Sequence, residues 1–285
     1  MSVAIEFLLP AFMMCVILAG IHVYMGMHVL EREVIFVDLA LAQMAALGAT
    51  VAKVFFAEEH AHNASGGHIE ADHIALLSFA FAALGAVIFA FAGTVRRHIS
   101  QEAIVGIVYA VSTAAMMLVL SHSHDGAESM KEVLGGILLL TEWSDVQTST
   151  IVYLVVAAVL FAFRRRFHML SWQPDEARTS MKHAAFWDLG FYLLFAVVLT
   201  ISIQSAGVLL VFSFLIVPAV ITRLFSERIL SRLIAGWAVA VLASLFGLYL
   251  SWTMEFPSGA SIITVFGVLL VLAGILRYLL RSRYR

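Results

Sequence analysis

The sequence predicts an all-α protein that crosses a lipid bilayer eight or nine times, with one re-entrant or interrupted segment. Three observations carry this expectation. The 285 residues are 62% hydrophobic and only 13% charged, with a mean hydropathy of +0.98, whereas a soluble domain holds about half apolar and about a quarter charged residues. The apolar residues also form continuous runs of roughly 20, the length of helix that crosses a hydrocarbon core about 30 Å thick. Finally, the runs lack the polar–apolar alternation of barrel strands. A chain in lipid must satisfy its own backbone, so helices remain.

The elements follow in order along the chain. Residues 5–29 form the first run. It is too long for a signal-peptide core and no small-residue cleavage site follows, so it is expected to stay as a helix. Residues 34–56 form the second. The segment 57–73, AEEHAHNASGGHIEADH, joins a Gly–Gly pair to dense polar groups and predicts an outer loop. Runs 74–95 and 103–121 come next, then a second outer loop, 122–132, HSHDGAESMKE. The stretch 132–147 is too short to span and is expected to be re-entrant or interfacial. Run 148–163 leads into a long basic segment, 164–185, where Pro174 before DEARTS predicts a short interfacial helix. Run 186–204 precedes 206–222, which Gly207 and Pro218 interrupt; it either spans or re-enters. Runs 233–252 and 261–280 complete the chain. No room is left for a soluble domain, so residues 1–285 are read as one transmembrane domain.

The formal net charge of −2 matters less than its distribution. Basic residues gather at Arg96–Arg97, Arg164 to Arg166, Arg178, Lys182, Arg223, Arg228, Arg232, Arg281, Arg283 and Arg285. The positive-inside bias assigns these segments, and the C-terminus, to the cytoplasm. The opposite side carries Glu58, Glu59, Glu70, Asp72, Asp125 and Glu128, with Lys53 and Lys131 as its basic residues. The N-terminus is expected outside, unless 206–222 re-enters. Cys15 is the single cysteine and excludes an intrachain disulfide. The expected setting is the cell (inner) membrane, with the bilayer and no nucleic acid as partner.

Six of the 11 histidines lie in the two outer loops: His60, His62, His68, His73, His122 and His124. Two H-x-H pairs with Asp125 and other carboxylates nearby offer borderline ligands for zinc, nickel or cobalt. The loops are read either as a weak capture site feeding a pore or as polar filler. Glu142 and Asp145 are read as a cation-attracting vestibule or as solvated capping groups. Asp38 lies within a predicted span, where a carboxylate marks a pathway or pairs with Arg32 near the mouth. Gln43 offers an oxygen ligand or a helix–helix hydrogen bond. His22, Met25 and His28 recur every three residues and form a stripe, which suits a soft ion or simple packing.

Several stretches resemble the membrane subunits of ABC importers for zinc, manganese or iron. The clearest is IQSAGVLLVFSFLIVPAVITRLF (203–225), with its valine–glycine start, LLV, IVPA and closing arginine. FPSGASIITV (256–265), EAIVGIVYAVSTAAMMLVLS (102–121), VLGGIL…SDV (133–146) and HVLEREVIFVDLALAQMAALG (28–48) follow the same family pattern in register. The resemblance implies a homodimeric permease for a divalent metal; zinc is the first expectation and manganese the second. It also implies two cytoplasmic ATPase subunits and an external metal-binding receptor. The chain is then a transport subunit and not an enzyme: it has no G-x-x-x-x-G-K-[ST] loop to cradle ATP, so the partner uses the ATP and this chain binds no cofactor of its own. The resemblance assigns ATPase docking to Arg223, Leu224, Phe225, Ser226, Glu227 and Arg228; an ordinary positive-inside turn is the competing reading.

The family's second helix carries D-A-L-S-H-A. Here Gln43 stands at the histidine position, Leu39 at the aspartate position and Leu47 at the following proline position, while Asp38 sits one residue early. The family's ligand pair therefore does not carry over residue for residue. Two further classes compete. An intramembrane metalloenzyme needs ligands such as H-E-x-x-H on a helix, which the chain lacks. A proton-coupled secondary metal carrier needs several ionisable groups at mid-membrane, where Asp38 and His22 stand almost alone.

Overall fold

Helices α1 (Ser2–Glu31), α2 (Val37–Phe56), α3 (Gly67–Ala92), α4 (Gln101–Leu120) and α5 (Trp143–Ala162) precede two short ones, α6 (Arg164–Trp172) and α7 (Pro174–Ser180). Then come α8 (Ala184–Ala206), α9 (Val208–Phe225), α10 (Ile229–Met254) and α11 (Ser258–Ser282). This is a computed structural model, and it describes residues 2–32, 34, 36–56, 67–92, 100–121 and 138–282. Among the described residues, nine helices are long and apolar enough to cross a membrane; α6 and α7 are the short exceptions. The chain is thus an all-helical, polytopic membrane protein.

The helices fall into two compact units, the first made of Met1–Glu33, Gly135–Ala157 and Ser205–Arg285. In it α10 runs antiparallel to α1. Phe7 meets Trp252 with ring centroids 6.3 Å apart, Trp237 Nε1 donates to the Gly20 carbonyl at 3.2 Å, and Arg232 donates to Glu31 at 2.5 Å. Each contact steps forward on one helix and back on the other. By contrast α9 lies parallel to α1, with Leu215 beside Gly26 and Arg223 beside Glu31. A turn holding Glu255 in the left-handed region (φ 57°) folds α11 back on α10, and Ser251 Oγ donates to the Phe256 carbonyl at 2.7 Å. Phe214 and Phe266 join α9 to α11 edge to face at 5.2 Å. Lipid provides no hydrophobic force between helices, so close backbone approach at small residues does the joining.

The second unit comprises Val34–Leu134 and Ala158–Gln204. Here α2 is the most deeply packed of the candidate spans. Ser78 of α3 donates to the Ala45 carbonyl at 2.9 Å, and Ser112 of α4 lies 3.0 Å from Met44 Sδ. Gly48 rests on the Leu77 backbone, and Gly85 faces Leu41 and Met44. At the basic segment, buried Phe167 of α6 packs on Trp187 and Phe191 of α8, with centroids 6.0 and 5.9 Å away. The Arg166 guanidinium covers Trp187 at 4.1 Å. Pro174 occupies the start of α7, where its missing N–H is harmless.

Three expectations need correction. The outer loop 57–73 ends earlier, because α3 begins at Gly67; polar residues there form the helix's first turns. The short stretch 132–147 is not one re-entrant piece in its described part. A 3₁₀ turn covers Leu138–Leu140, and α5 already starts at Trp143. The interruption in 206–222 falls at Gly207, with φ 75°, and Pro218 sits inside a continuous α9. Proline removes a single backbone bond, and Thr222 Oγ1 donates to the Pro218 carbonyl at 2.8 Å. This segment counts as a ninth candidate span.

Candidate functional site

Asp38 lies in the first turn of α2 and is 1% exposed. Neither of its carboxylate oxygens has a hydrogen-bond partner among the described residues. The first turn of a helix favours negative charge through its free N–H groups and dipole, which softens the burial of a carboxylate without satisfying it. Gln43 is buried to the same degree, and its Oε1 is also unpartnered among the described residues. A five-residue step carries a side chain about 140° around the helix and about 7.5 Å along it. The two oxygen donors therefore do not share one face of α2 as a ligand pair would.

His22, Met25 and His28 are all buried in α1. His22 Nδ1 donates to the Leu18 carbonyl at 2.9 Å, and the ring meets Tyr153 edge-on at 6.2 Å. The His28 ring lies against Tyr24 at 4.8 Å. Six residues separate the imidazoles by about 9 Å along the axis, too far to share an ion. Among the described residues, no three His, Cys, Asp or Glu side chains come together as a metal cage. The stripe exists, but its rings make aromatic and carbonyl contacts within the helix packing.

Of the outer-loop residues, His60, His62, His122, His124 and Asp125 lie outside the described residues. His68 falls in the first turn of α3, and half-buried His73 lies further along that helix. Asp145 has a defined local role: its Oδ2 accepts the Glu142 backbone N–H at 2.9 Å. That contact caps α5, where free N–H groups need acceptors. Glu142 accepts from Ser144 Oγ at 3.4 Å, and both carboxylates are exposed.

The segment 223–228 closes α9 and opens α10. Ser226 Oγ accepts the Arg228 backbone N–H at 3.2 Å, while Glu227 and Arg228 point to solvent. Arg223 reaches both Glu227, at 4.0 Å, and Glu31, at 3.5 Å. Glu31 also holds Arg232, whose side chain is 0% exposed. Sequence reasoning missed Glu31 and counted Arg232 only as a basic flank. The available signal was a carboxylate ending an apolar run, where the helix dipole disfavours it.

A family model described as the ABC 3 transport family matches residues 4–277. The chain belongs to that family. Asp38, Gln43, Glu31 and the 223–228 turn all lie within the matched region. Among similar proteins, the manganese transport system membrane protein MntC of Listeria monocytogenes is 22% identical over 178 residues, 62% of this chain and 63% of that one. The chelated iron transport system membrane protein YfeD of Yersinia pestis is 23% identical over 176 residues, covering 62% of this chain and 59% of its own length. The chain thus spans somewhat under two thirds of the length of these relatives. PsaBC from Streptococcus pneumoniae, solved in complex with Fab, superposes with a TM-score of 0.76 over 94% of this chain and 90% of that one, at 16% identity. That likeness shows a shared fold over nearly the whole molecule.

Proposed function

We propose that this chain is the membrane-spanning subunit of an importer for a divalent transition metal, with manganese or iron(II) ahead of zinc. It works as a homodimer in the cell membrane with its C-terminus cytoplasmic, fed by an external receptor and driven by separate ATPase subunits. The observation that carries this reading is Asp38: a buried carboxylate with both oxygens unpartnered among the described residues. A carboxylate inside a membrane costs a few kcal/mol even on the mildest insertion scales, and a passing cation offsets that cost. Gln43 adds a second oxygen station on the same helix. Oxygen donors suit harder ions such as manganese, whereas imidazole suits zinc, so the α2 donors reverse the expected order of zinc before manganese. The named cargoes of the relatives, manganese and chelated iron, point the same way.

Transport then follows from weak, sequential holding. One carboxylate and one amide oxygen retain an ion loosely, so it moves on when the helices rearrange. The test is reconstitution of the chain with its ATPase and receptor in vesicles, followed by uptake of manganese, iron(II) and zinc. ATP-dependent uptake with manganese or iron above zinc is expected. Uphill transport by the isolated chain would overturn the reading in favour of a secondary carrier.

A further inference from the structure

Glu31 ends α1, where the helix dipole works against a carboxylate. Two cations from different helices compensate it. Arg232 Nη1, in the first turn of α10, donates to Glu31 Oε1 at 2.5 Å, and Arg223 Nε, in the last turn of α9, lies 3.5 Å from the same oxygen. The turn 226–228 joins those two helices, so both of its flanks are tethered to the last residue of α1. The turn itself is closed by the Ser226–Arg228 hydrogen bond.

A buried ion pair is weak evidence for stability, since apolar replacement of both partners is often neutral or better. This pair is also incompletely satisfied: Arg232 Nε and Nη2 have no partner among the described residues. Its distinctive property is geometric. Beyond the pair, α1 and α10 stay in antiparallel contact through Gly20–Trp237 and Phe7–Trp252, so a displacement of the turn reaches the whole of α1.

We infer that Glu31 is the positioning residue that ties the turn 226–228 to α1, carrying a push on that turn from the ATPase into the transport helices. The inference rests on the proposed function and on the docking of its ATPase at this turn, which the family resemblance implies. Without the clasp, ATP is hydrolysed but less of the stroke passes from the turn to α1.

The test uses the full complex of chain, ATPase and receptor in vesicles, with manganese(II) as the probe and ATP hydrolysis measured in the same preparation. Glu31→Gln alone leaves Arg232 buried without its counter-charge and can fail to fold. The double variant Glu31→Gln/Arg232→Met removes both charges and keeps the shape. In it the ATPase co-purifies at the wild-type ratio, while manganese carried per ATP falls about tenfold, the weight of one charge-assisted hydrogen bond. An unchanged ratio of manganese to ATP overturns the inference and leaves the pair a structural brace. Loss of ATPase co-purification in the variant also overturns it, because Glu31 would then shape the docking surface. Failure of the underlying docking proposal is distinguishable: the wild-type chain itself would not retain the ATPase, and the clasp would fall with it.

Discussion

Gly26 of α1 lies so close to Leu215 of α9 that a Cβ at this position would overlap the Leu215 carbonyl. The contact sets how near two parallel helices of the first unit approach. It sits between His22 and Glu31, so separating the helices disturbs both the buried histidine stripe and the charged clasp. Such overpacking costs typically about 1–3 kcal/mol. Gly26→Ala is therefore expected to lower the thermal unfolding midpoint in detergent. Gly267→Ala is the matched control, because nothing lies within 4 Å of a Cβ there; the better helix propensity of alanine should leave that variant neutral or slightly more stable.

Asp38 is predicted to trade stability for transport. Its oxygens are buried and unpartnered among the described residues, so a side chain of similar size without the charge relieves a desolvation cost. Asp38→Asn is expected to melt at or above the wild-type temperature, while manganese uptake by the reconstituted complex falls at least about tenfold, the scale of one lost charge-assisted contact. Asparagine keeps the shape of the side chain, so this variant separates charge from shape. A variant with reduced melting temperature and normal uptake would assign Asp38 to structure.

Much of the architecture was legible because a membrane span writes its whole length into contiguous apolar sequence. Helix starts were less legible. At Gly67 and Trp143 the first turns are polar, as helix N-termini outside the hydrocarbon tend to be, so 67–73 read as loop and 143–147 as part of a re-entrant piece. Asp38 stood out as a lone carboxylate in grease. The Glu31–Arg232 pair did not, because 201 residues separate its members and each alone resembles an ordinary flanking charge. The His22–Met25–His28 stripe illustrates the opposite case: period identified a shared face, but axial rise keeps its two imidazoles apart.

Asp145 is predicted to stabilise α5. Its carboxylate accepts the Glu142 N–H at 2.9 Å, and losing such a cap costs about 0.5–2 kcal/mol. Asp145→Ala should thus lower the unfolding midpoint modestly, with manganese uptake at limiting metal following only the amount of folded protein. Asp145→Asn, which keeps an acceptor oxygen, should recover most of the stability. If uptake at limiting metal fell in Asp145→Asn while stability held, the vestibule reading would replace the capping one.

Selectivity should turn on Gln43. It is buried on α2 with an unpartnered Oε1 among the described residues, and it offers an oxygen where an imidazole would offer a nitrogen. Nitrogen donors favour zinc over manganese, in keeping with the general order of divalent affinities. Gln43→His is therefore expected to raise zinc uptake relative to manganese, and zinc should compete more strongly against manganese than in the wild type. The substitution is close in volume, so the stability should change by less than about 1.5 kcal/mol. Competition uptake at matched free-metal concentrations, with melting measured on the same preparation, checks both parts. An unaltered zinc-to-manganese ratio in a folded Gln43→His protein would remove Gln43 from the path of the ion and leave Asp38 as the oxygen station on α2.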